Sequence, residues 1–185
     1  MIIMSKKRAA FIGASLIATL LATTAVADGE LDSHVATTLK TCQHISTSCA
    51  STTTNAAGIL VFPSVVKADL IIGGAGGKGA LIENGKITGY YSIGAGTAGL
   101  EAGIDKSSEV YVFRSAHALA QLKNGSGWHV GAGAGVTVVN ADANTQGSNG
   151  DVDVYVFDAQ GLHGDVAVSA FDIWKSGSPR PSSQQ

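Results

Sequence analysis

The sequence predicts an α+β fold: a strongly curved, mostly antiparallel, glycine-rich β-sheet, with barrel-like closure left open, an N-terminal amphipathic helix and one short inserted helix. Three observations predict it. The apolar period changes from about 3.6 to 2 at Gly58. Asn84-Gly85 stands between two strand-like runs, the strongest two-residue hairpin signal. Seven of the 24 glycines stand in Gly-Ala-Gly runs, whose lack of side-chain bulk permits close approach and sharp bending. At 45% hydrophobic and 14% charged, against roughly 25% charged in an average domain, the chain folds rather than staying disordered.

The first segment is read as an address and not as fold. Lys6-Lys7-Arg8 precedes an uncharged apolar run over residues 9–22 and then Thr23-Thr24-Ala25-Val26-Ala27, the three regions of a secretory signal peptide, residues 1–27. The run is shorter than the ~20 residues that span a bilayer. Cleavage leaves one domain, residues 28–175, and a tail, 176–185, whose serines, Pro179 and Pro181 read as disordered. No cysteine closely follows the apolar run, so the expectation is a secreted, periplasmic protein without a lipid anchor. The signal removes three of the 12 basic residues and none of the 14 acidic ones. What remains is acidic, with Arg114 and Arg180 its only arginines, which excludes nucleic acid as a partner. Residues 33–100 nevertheless carry Lys40, Lys67, Lys78 and Lys86 against Asp69 and Glu83, the better half in which to seek an anionic partner.

Leu31, Val35, Leu39, Cys42 and Ile45 mark one stripe of a helix, with Asp28, Glu30 and Asp32 in or before its first turn. The stripe either packs on the core or docks shallowly into a membrane. Cys42 and Cys49 can form a disulfide in an oxidising compartment. Seven residues of unbroken helix would hold them roughly 10 Å apart, beyond the ~7 Å reach of the bond, so pairing requires a break. Two buried thiols are the alternative. The Ser/Thr-rich segment 46–55 reads as loop or frayed helix.

Beyond Gly58 the elements are strands. Gly58 to Phe62 stops at Pro63, and Leu70-Ile71-Ile72 runs into a glycine cluster, both continuous apolar runs. Turns follow at Asn124-Gly125, Asn149-Gly150 and Gln160-Gly161, and residues 115–123 form a short helix capped by Ser115. The strands repeat: Tyr91-Ser-Ile-Gly-Ala-Gly96 is echoed by Trp128-His-Val-Gly-Ala-Gly133, and Val110-Tyr-Val-Phe113 by Val154-Tyr-Val-Phe157. In each V-Y-V-F strand valines take one face and aromatics the other.

The chemical motifs are weak. Residues 74–79 and 94–99 match G-x-G-x-x-G, but both lead into more strand instead of a helix, so no nucleotide is expected. Asp142, Asn144, Gln146, Gly147 and Asp153 fall on calcium-loop spacing but lack the bidentate Glu and flanking helices. The five histidines are scattered, His163 with Asp165 reading as surface hydrogen bonding, and no nucleophile elbow exists. The reading is a non-enzyme with no metal and no cofactor.

The run Ala57-Gly-Ile-Leu-Val-Phe-Pro63-Ser-Val-Val-Lys67-Ala68, continued by Leu70-Ile-Ile-Gly73-Gly74 and Gly77-Lys-Gly79-Ala-Leu-Ile82, resembles the opening motif of the SYLF domain family. Tyr91 to Gly96, Val110 to Phe113, Val130 to Val138 and Asp153 to Gly164 resemble its later strands in order, so the likeness spans about residues 30–174. Asp69 departs from the glycine usual after the Lys-Ala pair. The resemblance implies lipid binding, phosphoinositide-type in eukaryotic members, some of which also bind actin. Secretion sets actin aside and leaves an anionic phospholipid or membrane surface as partner. The expected mechanism has Leu31, Val35 and Leu39 insert at the interface while Lys40, Lys67, Lys78 and Lys86 contact headgroups, at about 1 kcal/mol per lysine. The rival is a structural or protein-interaction module of the envelope that pairs through its sheet edges.

Overall fold

The computed structural model describes residues 22–69, 73–97, 103–125, 128–130, 136–140, 150–160 and 171–178. They form α1 (Ala22–Ile45), α2 (Thr47–Thr54), β1 (Gly58–Asp69), β2 (Gly73–Glu83), β3 (Lys86–Thr97), β4 (Gly103–Phe113), α3 (Ala116–Asn124), β5 (Trp128–Val130), β6 (Val136–Asn140), β7 (Val152–Gln160) and β8 (Phe171–Lys175). The strands make one curled half-barrel sheet in the order β5-β8-β3-β2-β1-β4-β7-β6. Each pairing is antiparallel except β6 with β7. Among the described residues nothing joins β5 to β6, so the curl stops short of a closed barrel. The fold is the expected α+β sheet.

The helical stripe is core. Val35 is buried, and Leu31, Leu39 and Ile45 pack beside it against Ile59, Val61, Val110, Val112, Tyr155 and Phe157. Burying a side chain such as Val35 contributes about 1.5–3 kcal/mol, which insertion into a membrane would forfeit. In this packing Val35 is therefore not available for membrane docking, and Leu31 and Leu39 are only half available. α1 also begins before Asp28, so Asp28, Glu30 and Asp32 lie beyond its first turn.

Segment 46–55 is helix and not loop. Ser46 ends α1 and caps α2, its hydroxyl accepting from the Cys49 amide at 3.2 Å. The threonine hydroxyls that compete with helix elsewhere donate here to carbonyls one turn back: Thr52 to Ser48 at 2.9 Å, Thr53 to Cys49 at 2.7 Å, Thr54 to Ala50 at 2.9 Å. The kink at Ser46 is the break that the cysteines need. Cys42 and Cys49 form a buried disulfide with Cα atoms 6.0 Å apart. Such a bond marks a chain that matures in an oxidising, extracellular-type compartment. No helix among the described residues is long and apolar enough to cross a membrane.

β1 does not stop at Pro63. The register slips by one between Phe62 and Val65, so Pro63 sits in a bulge where its missing N–H breaks no ladder bond. β2 and β3 turn at Asn84 and Gly85, both at positive φ (51° and 74°), as a type I′ hairpin demands. The glycines of β2 serve close approach: a Cβ at Gly77 would meet the Ser64 carbonyl oxygen at 2.6 Å, and one at Gly79 would strike the Val61 carbonyl. The first G-x-G-x-x-G run is thus mid-strand. In the second, Gly94 and Gly96 lie in β3, while Gly99 falls outside the described residues, as do Leu70 to Ile72.

The repeats find each other. The two V-Y-V-F strands are neighbours, β4 and β7, and the two aromatic Gly-Ala-Gly strands, β3 and β5, flank β8 from either side. The second face of the sheet holds Leu60, Phe62, Tyr91, Tyr111, Phe113 and Trp128 and is covered by α3 through Ala118, Leu119 and Leu122. Ser115 caps α3 as expected, accepting from the Ala118 amide at 3.1 Å.

Candidate anion-binding groove

A groove of about 710 Å³ wraps the edge of β3 where β8 leaves it unpaired. β8 pairs only with Tyr91 to Gly94, and the chain continues into a turn in which the Ser176 amide donates to the Tyr90 carbonyl at 2.9 Å. The Ser176 and Ser92 hydroxyls meet at 3.1 Å. That turn closes one end of the groove; residues 179–185 of the expected tail fall outside the described residues.

Three lysines reach the groove from separate elements. Lys78 comes from β2, Lys123 from the last turn of α3, and Lys175 from the end of β8, opposite Tyr91. Alternation along the strands puts Lys78 on the α1 side of the sheet and Lys175 on the α3 side. Lys123 is held by Glu83, its Nζ donating to both carboxylate oxygens at 3.0 and 3.1 Å. Hydrogen bonds from Thr88 and then from Lys123 hold the Glu83 carboxyl below its ordinary range. Lys78 and Lys175 form no salt bridge among the described residues.

The wall is apolar and aromatic. Leu31 and Tyr90 line the α1 side, and Leu81 and Tyr91 the other. Tyr90 donates its hydroxyl to Asp32 Oδ1 at 3.0 Å, tying β3 to α1. Burial, then the nearby Glu83 charge, raises the Tyr91 phenol above its usual range, so the ring stays neutral and supplies surface. An open groove that carries a lysine on each face of the β3 edge, between tyrosine walls, can attract an anion.

The structure does not bring the four expected lysines together. Lys78 is in the groove. Lys40 is exposed on the outer side of α1, Lys86 is exposed beside the β2–β3 turn, and Lys67 belongs to β1, opposite Ala75 and Asp105, with its side chain outside what is described. Leu31 is the one stripe residue that also lines the groove. Lys123 and Lys175 escaped the sequence reading because they lie in the acidic half of the chain, and only the return of β8 beside β3 brings Lys175 to the groove that Lys78 also lines. The described histidine–carboxylate pair is likewise not His163 with Asp165, which fall outside the described residues, but His129 with Asp172, cross-strand neighbours on β5 and β8 with Nδ1 to Oδ1 at 2.9 Å. Of the calcium-spaced residues only Asp153 is described, buried in β7.

No protein-family model matches the chain, and a search of curated proteins gave no match.

Proposed function

We propose that the chain is a secreted, non-enzymatic protein of the bacterial envelope that binds anionic phospholipid headgroups in the groove at the β3 edge. The observation that carries this reading is the convergence of Lys78, Lys123 and Lys175 from three elements on one open groove walled by Tyr90 and Tyr91. The likeness of residues 57–68 and of the later strands to the SYLF domain family supports it, as does the disulfide, which suits the periplasm. Headgroup contact through the groove leaves α1 seated on the sheet, with Leu31 alone at the lipid side.

Flotation of the mature protein with phosphatidylglycerol vesicles and with phosphatidylcholine vesicles, at low and high salt, tests it. Binding is expected to anionic vesicles only and to weaken as salt is raised. Lys78→Ala with Lys175→Ala should lower the affinity about 30-fold, at about 1 kcal/mol per lysine. Absence of flotation in every condition would overturn the reading in favour of a protein-interaction module. That second reading rests on β6, which pairs with β7 on one side and, among the described residues, with no strand on the other.

A further inference from the structure

A second groove, of about 590 Å³, opens between α1 and the sheet at the level where Ser64 of β1 pairs with Lys78 of β2; the two grooves share no lining residue. Its floor is the stretch of β4 at Lys106 to Ser108, and both neighbouring strands bulge at that level. On one side Phe62 pairs with Glu109 and Val65 with Ser107, so β1 carries an extra residue at Pro63 and Ser64. On the other, Lys106 pairs with Gln160 and Ser108 with Phe157, so β7 carries an extra residue at Asp158 and Ala159. Asp158 adopts φ 54° there. Bulges re-aim side chains and recur next to functional sites; here two of them turn Ser64 and Asp158 into one groove.

The roof is polar in register. His34, Thr37, Thr38 and Thr41 stand at i, i+3, i+4 and i+7 on α1, facing the groove. The Thr37, Thr38 and Ser64 side chains make no hydrogen bond among the described residues, although Thr38 is only 9% exposed. Lys106 and Asp158 supply one formal charge of each sign. A strongly charged ligand gains from one and loses to the other. Hydroxyl groups, which donate and accept, match every group present: Asp158 accepts, Lys106 donates, and the threonine and serine hydroxyls do either.

We propose that this groove is a second binding site, distinct from the lysine groove, for an uncharged polyhydroxylated ligand: a saccharide, free or as the headgroup of a neutral glycolipid. Its volume lies within the roughly 300–1,000 Å³ of small-molecule sites. The test is a titration of the isotope-labelled, disulfide-bonded protein with maltose and N,N′-diacetylchitobiose, read by amide chemical shifts. Flotation with digalactosyl-diacylglycerol vesicles, against plain phosphatidylcholine, distinguishes the membrane source from the free sugar. Shifts are expected at Thr37, Thr38, Ser64, Lys106 and Asp158. Asp158→Asn, which tolerates positive φ, should weaken the responding probe about tenfold, as expected for one hydrogen bond to a charged group. Lys175→Ala, on the α3 side of the sheet, should leave it unchanged. Ser64→Ala, at a half-buried position, gives a second variant if Asp158→Asn perturbs the fold. The proposal is overturned by no response to either sugar or to the glycolipid, by shifts confined to Tyr90 and Lys175, or by equal binding in Asp158→Asn and Ser64→Ala.

Discussion

β4 and β7 carry the same four residues, Val-Tyr-Val-Phe, and put them to opposite use. Tyr111 and Phe113 of β4 point to the α3 side, whereas Tyr155 and Phe157 of β7 point to α1 and α2. The pairing explains it. Antiparallel partners share a face, and Val110 stands opposite Tyr155 while Tyr111 stands opposite Val154. Each face therefore receives one aromatic and one valine per rung. A one-residue change of register would have stacked all the aromatics on one face and all the valines on the other, so face is a property of pairing and not of the strand's own letters.

The two tyrosines end in different surroundings. Tyr111 is fully buried among Phe62 and Trp128, with centroids at 5.8 and 6.2 Å, and donates its hydroxyl to the buried Glu109 Oε2 at 2.6 Å. The Tyr155 hydroxyl meets Ser48 and Thr52 of α2, each at 2.9 Å. The first is an aromatic and ionic core; the second pins a helix to the sheet.

The sharpest way to break the comparison is Tyr111→Ala, expected to cost about 4 kcal/mol in urea unfolding, as large aromatic deletions do, and to leave Glu109 without its short hydrogen bond. The same residue gives a pH signature. Burial first, then the Glu109 charge, pushes the Tyr111 phenol well above its ordinary value of 10.0. The folded protein thus holds a proton that the unfolded chain releases near pH 10, so this contribution is constant below pH 10 and falls above it. Tyr111→Phe should flatten that alkaline fall.

Next in size is the helix face. Replacing Cys42 and Cys49 by serine should cost about 2 kcal/mol for so short a loop. Hydrogen exchange should accelerate in α2 more than at the centre of β4, and equal acceleration in both would show the two faces to be one cooperative unit. Smallest is Tyr155→Phe, about 1 kcal/mol by thermal unfolding, because Ser48 and Thr52 lie partly open to water that can replace the lost hydroxyl.

Sequence reasoning reached the elements whose cause is local. The Asn84-Gly85 hairpin, the Ser115 cap, the curled glycine strands and the need for a break between the cysteines all follow from neighbours in the chain. It missed where tertiary context overrules the local signal. Thr52 to Thr54 form helix because α2 is held from outside, by the Cys42–Cys49 disulfide and by the Tyr155 hydroxyl at Ser48 and Thr52, and Pro63 stays in a strand because a bulge receives it. The groove was legible only at Lys78 and Leu31. Lys123 and Lys175 are distant in sequence, and no local rule predicts that β8 returns beside β3.

That return of β8 also constrains when the molecule can be finished. The strand is supplied by residues 171–175, after every other described strand, yet it sits inside the sheet between β5 and β3. A chain emerging from its N-terminus therefore cannot seat Trp128's strand, or close the end of the lysine groove, until nearly all of it is available. Such long-range closure slows folding, and the last strand made is the one that joins β5 to the rest of the sheet.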